Sequence, residues 1–457
     1  MMPHDLVIKN GMVIDGTGFA RYRADVAIKD GAIVEMGRVR GAAAATIDAE
    51  GLYVAPGIID LHTHYDAQPF WDKLCTSSIW LGEYMEAIDH GLGVNMMPLV
   101  GHNPLRLGAM GEAAWERAAR ADEIATMQRL LSASLEAGAW GWSTTASPTH
   151  AGPSGEPVPT RLADNDERLA LARTQAEFNR GVIEILPRSV ARPDEADRQH
   201  LLEVARTSGR PVFFLGFDAD ARGYVEAAAR EGAQLYNLLR AIPFNPRFTL
   251  KKTTFFKNLD GWDVVMDLPV PERLAVLTDP EKRAALREAA TKPQRRRPGV
   301  AGRLVPWRAI VVRKASLDRH RSLEGRGLAE LADEQGKHVA DVMLDLAVEE
   351  NLDTEFQLRT RSAEEEAALA EMVKSGHALP SQSDAGAHLN TNFCTAGESS
   401  YVLGQWVRER QLLSLEDAIR RLTFQPARIM GLHDRGLVRE GLAADLMVFD
   451  LACIGGG

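Results

Sequence analysis

From Pro56 to Ser383 the sequence alternates short apolar, β-branched runs with longer amphipathic ones, and this alternation constrains the fold more than any other feature. Val94–Val100, Ala139–Thr144, Val182–Leu186, Pro211–Gly216, Ala233–Leu239 and Ala378–Ser383 read as strands. Between them lie helices: Thr126–Ala137, a segment opened by the capping box Asp164-x-x-Glu167 and running to Arg180, and one starting at Pro193, since proline suits a first helical position. Further helices carry Val225–Arg230, Leu328–Glu350 and Ala363–Ser375. Parallel strands need a crossover, and a helix supplies it, so strict βα alternation implies an α/β chain with a parallel sheet. A (β/α)8 TIM-like barrel fits better than an open sheet. No Gly-x-Gly-x-x-Gly follows an early strand, which argues against a dinucleotide fold. Residues 246–307 are irregular, proline-rich and charged, and read as an insertion or lid over the barrel mouth; Arg308–Arg313 reads as one more strand.

The two ends of the chain differ from this middle. Asp5–Asn10, Gly11–Asp15 and Asp25–Lys29 are strand-like, and Asp30-Gly31 before Ala32–Met36 is a hairpin signal. Such an antiparallel unit is too small to bury a core alone. Gly441–Asp450, at the far end, is a candidate partner strand.

Chemistry concentrates at Pro56-Gly57-Ile-Ile-Asp60-Leu-His62-Thr-His64. Pro-Gly is a turn signal, Ile58–Leu61 suits a buried strand, and alternation would send Asp60, His62 and His64 the same way. Two imidazoles one residue apart at a strand end can grip one metal ion. A His-x-His alone is equally compatible with two polar residues capping a sheet.

The whole string resembles the signature that ends the first barrel strand in the amidohydrolase superfamily. His62-Thr-His64-Tyr-Asp-Ala-Gln68 is similar to its D-aminoacylase (N-acyl-D-amino-acid deacylase) branch. The resemblance continues through Pro98–Arg106, Gly141–Thr144, Ser383-Asp384-Ala-Gly-Ala-His388 and Gly441–Leu446. It implies a barrel over 56–432 beside a small β-sandwich built from both termini, 1–55 and 433–457. It implies His62, His64 and Asp384 as ligands of zinc, with Asp384 also taking a proton from the attacking water; His388 is a candidate second catalytic group that could polarise a carbonyl or orient a ligand, with a hydrogen-bonded core histidine as the alternative. His102 and Arg106 are candidates for a substrate carbonyl and carboxylate, with a buried histidine and a structural ion pair as their plainer readings. Glu184 could bridge metals or bind a core arginine. D-aminoacylases carry a Gly-Asn-Cys strand and histidines on two later strands; no such strand occurs here, and Pro211–Gly216 and Ala233–Leu238 contain no histidine. One divalent metal is therefore expected rather than two.

A net charge of −10 argues against nucleic acid, and the basic run Lys292–Arg297 is flanked by proline and reads as a solvated loop. Three scattered cysteines, Cys75, Cys394 and Cys453, form no framework, which with the absence of a leader-like start or a bilayer-length apolar run makes the expectation cytoplasmic. A homo-oligomer acting on a small amide is expected. The leading activity is metal-dependent hydrolysis of an exocyclic amide such as an N-acyl-D-amino acid. The rivals are a cyclic amidase of the dihydroorotase or hydantoinase kind and a metal-poor barrel serving as a binding or scaffold protein. Between His64 and Val94 no second strand is legible, so the sequence is expected to be a stitched or trimmed form of a longer one, also short of a C-terminal tail; a natural deletion is the alternative.

Overall fold

The computed structural model describes residues 4–64, 94–148, 150, 156–189, 193–215, 221–243, 245–251, 253, 256, 259–292, 305–359, 363–386 and 397–455. The interval 65–93, where the second strand is expected to be missing, lies outside them, as do Cys75, His388, Cys394 and all of the basic run beyond Lys292.

At the N-terminus, strands β1 (His4–Val13), β2 (Tyr22–Lys29), β3 (Ala32–Gly37), β4 (Ala43–Asp48) and β5 (Tyr53–Pro56) share one sheet with the late strand Leu446–Phe449. The Asp30-Gly31 hairpin joins β2 to β3 as expected. The runs read as two strands, 5–10 and 11–15, are one strand with a register shift between Ile8 and Gly11. Asn10 takes φ +62° there, and Asp25 and Asp48 accept from its backbone and side-chain amides, so the irregularity leaves no donor stranded. The sheet is mixed rather than antiparallel, because β4 and β5 both run parallel to β1.

The middle of the chain forms a six-stranded parallel sheet. It is built from β7 (Val100–Gly101), β8 (Gly141–Thr145), β9 (Val182–Leu186), β10 (Val212–Leu215), β11 (Leu235–Leu238) and β15 (Ala378–Leu379), in the order β15-β11-β10-β9-β8-β7. Alternate side chains separate onto two faces. Ile183, Ile185, Val212, Phe214 and Leu235 face a core shared with helices Ala121–Glu136, Asn165–Glu177 and Glu195–Ser208. Val182, Phe213, Leu215, Leu238 and Leu379 face a second apolar cluster that also takes in Leu61. Two glycines set the close approach of β8 to β9. A Cβ on Gly141 would lie 1.8 Å from the Val182 carbonyl oxygen, and one on Gly181 would lie 2.1 Å from that of Trp140.

Several expected elements are shorter or divided. Of the run 94–100 only Val100 is in a ladder, as the first residue of β7. The helix expected to start at Pro193 is instead capped by Asp194, which accepts from the Asp197 amide at 2.8 Å. Leu328–Glu350 is two helices, Leu328–Gln335 and Val339–Glu349, parted by Gly336 in the left-handed region. The largest correction concerns 246–307. This stretch is not irregular: it holds β12 (Arg247–Phe248) and helices Trp262–Asp267, Val270–Thr278 and Pro280–Ala290. With β13 (Ile310–Lys314) and β14 (Glu355–Leu358) it makes an antiparallel three-stranded unit around Phe248, Phe256, Trp262, Leu277 and Phe356. The run read as a further barrel strand is β13, which therefore lies outside the parallel sheet. This unit leaves the chain after β11 and returns before β15.

Candidate metal centre

Two short strands from distant parts of the chain build the site. β6 (Thr63–His64) pairs in parallel with β16 (Ala385–Gly386). The Leu61 amide donates to the Ser381 carbonyl and the Asp384 amide to the His62 carbonyl, both at 3.1 Å. The expected strand Ile58–Leu61 lies outside the ladder, tied by the Ile59 amide to the Leu422 carbonyl. His62 and His64 nevertheless converge as their spacing requires, with their Nε2 atoms 3.1 Å apart. Asp60 does not join them. Its Oδ1 accepts from the backbone amides of His62 and Ser383, so it fastens the two strands instead.

Asp384 completes a cluster with the imidazoles. Its Oδ1 lies 2.8 Å from His62 Nε2 and 3.5 Å from His64 Nε2. Four-coordinate zinc with bonds of about 2.0–2.2 Å separates its ligand atoms by roughly 3.3–3.5 Å. The three donor atoms, 2.8–3.5 Å apart, are somewhat tighter than that, as groups hydrogen-bonded to one another are, and have the chemistry of a metal-ligand set, two imidazole nitrogens and a carboxylate. Asp384 has φ +51°, a left-handed conformation that aspartate tolerates better than most residues, and this turn re-aims its carboxylate where the strand breaks.

The surrounding charges hold the donors in place. His62 Nδ1 contacts Glu184 Oε1, and Glu184 is buried on β9, level with Ser143 and Phe213 of the flanking strands. Neither a bridge between metals nor a core arginine partner, the roles expected of it, describes that contact. A carboxylate behind a ligating imidazole fixes its orientation and raises its basicity. Burial opposes charging of His62, but the Glu184 and Asp384 carboxylates outweigh it and push its pKa up to about 10. Burial likewise opposes ionisation of Asp384, and hydrogen bonds from His62 and His64 with the charge of Arg240 hold it far below the usual range. Arg240 Nη2 contacts the other oxygen, Oδ2.

Arg240 and Glu398 were not foreseen. Arg240 follows the strand run 233–239, so the strand-end criterion applied to the other candidates would have reached it. Glu398 is 1% exposed and its Oε1 accepts from the Ala241 amide at 2.7 Å. Among the described residues its other oxygen has no hydrogen-bond partner, and burial raises its pKa well above the normal value.

His102 and Arg106 are brought to each other rather than to the His62 cluster. His102 Nδ1 is 2.9 Å from Thr144 Oγ1, and its Nε2 is 2.7 Å from Glu167 Oε1. Arg106 pairs with the other Glu167 oxygen and donates to the Arg117 carbonyl at 2.7 Å. All three charged side chains are fully buried, and burial pulls the His102 pKa down. Strand alternation explains the separation. Ser143 lies beside Glu184 on one face, so Thr144 points to the helix side, where Trp142 and Leu105 pack. Glu167 also departs from the expected capping box. Asp164 accepts from its amide at 2.8 Å, but its carboxylate is engaged by His102 and Arg106.

A model of the amidohydrolase family matches residues 71–454. The chain belongs to that family. Among its relatives, an N-acyl-D-glutamate deacylase of Alcaligenes xylosoxydans xylosoxydans is 28% identical to this amidohydrolase across 98% of the chain and 87% of its own length. A D-aminoacylase from the same organism is 26% identical across 99% and 89%. In structure, an N-acyl-D-glutamate deacylase from Bordetella bronchiseptica, solved with zinc and a phosphonate mimic of the tetrahedral intermediate, superposes with a TM-score of 0.64 at 23% identity, covering 99% of this chain and 91% of its own. A D-aminoacylase structure described for its binuclear metal centre gives 0.63 at 22%, covering 98% and 90%. These superpositions establish the fold.

Proposed function

We propose that this amidohydrolase is a metal-dependent hydrolase of exocyclic amides, with N-acyl-D-amino acids as its substrate class. The observation that carries the reading is the convergence of His62 Nε2, His64 Nε2 and Asp384 Oδ1 beside a carboxylate that orients one of the imidazoles. The named activities of its full-length relatives supply the substrate class. These three residues would hold one divalent ion, zinc by the chemistry of the donor set, which when bound lowers the pKa of water and polarises a carbonyl.

The chain's own groups do the rest. Glu184 keeps His62 aimed through Nδ1. Asp384, ionised beside His62 and Arg240, is the group proposed to take the proton from attacking water and pass it to the departing amine. His388 remains a proposed second catalytic group. The substrate's own carboxylate needs a cation other than Arg106, whose side chain is fully buried against Glu167.

We read the parallel sheet with the β6–β16 pair as a (β/α)8 barrel over 56–432, and the sheet from both termini, 1–55 and 433–457, as a small β-sandwich beside it. The inserted unit leaves from the end of β11 nearest Arg240, which supports a place over the barrel mouth. No helix among the described residues is long and apolar enough to cross a membrane. The cysteine pattern supports a cytoplasmic location.

Release of free amine by zinc-loaded protein from N-acyl-D-glutamate, N-acyl-D-aspartate and their L enantiomers tests the activity, and appearance of the N-carbamoyl amino acid from a hydantoin tests the cyclic alternative. Turnover of an N-acyl-D compound supports the reading. Ring opening alone supports a cyclic amidase, and zinc binding without any turnover supports a binding protein.

A further inference from the structure

The two oxygens of Asp384 face different cations. Oδ1 meets the imidazoles of His62 and His64, and Oδ2 meets the guanidinium of Arg240. In a two-metal centre, donors on that second side would be shared with another ion. Here that side is filled by the guanidinium of Arg240.

Arg240 is held there by the fold. Two residues after β11 ends, it continues the alternation of Tyr236 and Leu238 and so belongs to the inner apolar face. The preceding amide, of Leu239, donates to the Leu379 carbonyl at 2.9 Å, and the following one, of Ala241, donates to Glu398 Oε1 at 2.7 Å. The backbone is thus clamped on both sides of the arginine, against β15 and against the buried start of the helix at Glu398. Arg240 itself is 15% exposed. Glu184, another carboxylate at the cluster, already has one oxygen on His62 Nδ1.

We infer that Arg240 is a built-in replacement for a second metal ion, so that the centre binds a single divalent cation. Another dication on the Oδ2 side would have to expel the guanidinium or sit against it. The inference rests on His62, His64 and Asp384 being the metal ligands.

Zinc content of the full chain, measured after dialysis against excess zinc and by calorimetric titration, tests it. Cobalt(II) absorption distinguishes an ordered second site from ions held loosely at the surface. One zinc per chain is expected for the wild type and for Arg240→Lys, which keeps the charge. Two are expected for Arg240→Glu, and a second, weaker one for Arg240→Met, which serves if the glutamate variant does not fold. Two ordered ions in the wild type would overturn the inference, as would a single ion in every variant. Failure of the underlying site looks different: no zinc in the wild type, or undiminished zinc in His62→Ala.

Discussion

Asp384 and His62 are where the chain is least replaceable. Each is engaged on both sides, His62 by Glu184 and Asp384, Asp384 by His62 and Arg240. His62→Ala and Asp384→Asn are expected to abolish amide hydrolysis while leaving the circular dichroism spectrum intact; full turnover by either would remove it from the site. Glu184→Gln keeps the shape but weakens the acceptor behind His62, and should lower zinc affinity by about 10–100-fold, read by competition with a chelator. Protons and zinc compete for the same nitrogen. With the metal-free His62 imidazole staying charged up to a pH of about 10, zinc must displace a proton, so its apparent affinity should climb with pH below that value, by roughly tenfold per unit at most. Calorimetry in buffers of differing ionisation heat should find about one proton released per zinc. The His-x-His spacing made the imidazole pair legible, and the turn before small residues made Asp384 legible. Arg240 stood at a strand end and could have been found by the same criterion as the others, whereas Glu398 was hidden because it acts on a partner far away in sequence with nothing local to mark it.

Among the elements, the buried triad of His102, Arg106 and Glu167 ties helix His102–Met110 to helix Asn165–Glu177. Glu167→Ala would strand a buried arginine, and breaking such a pair costs about 3–5 kcal/mol. Denaturant unfolding should show a loss of that size, with zinc stoichiometry unchanged; unaltered stability together with a raised KM would restore the substrate role. Sequence reasoning located these residues, and its plainer readings, a buried histidine and a structural ion pair, match the contacts, but it gave Glu167 a capping role instead of this one. A one-residue difference in strand parity decides which face Thr144 presents, and His102 follows it. The βα alternation itself was readable because most of the parallel strands are short, largely apolar runs, β8 with its Ser-Thr-Thr being the exception. The unit at 247–358 was misread because proline and charge resemble a loop, whereas Pro269 precedes one of its helices and Pro280 opens another. Its core aromatics lie far apart in sequence, Phe248 against Phe356, with no period to betray them.

At the scale of the whole molecule, a metal at the site would cross-link β6 to β16, two strands more than 300 residues apart in the chain. A ligand that binds only the folded chain, free at about 100 times its Kd, adds about 2.7 kcal/mol. Chelation should therefore lower the thermal midpoint and zinc restore it, and His64→Ala should remove the difference. The same long-range pairing has a consequence for how the protein is made. β5 finds its antiparallel partner in Leu446–Phe449 and β6 finds its own in β16, both from late in the chain. While the ribosome is still adding the middle of the chain, these early strands have been released without those neighbours, their amides and carbonyls open to any other strand. Contacts of such long sequence separation form slowly, so the metal ligands can meet only near the end of translation, and the unfinished chain is the form most in need of a chaperone.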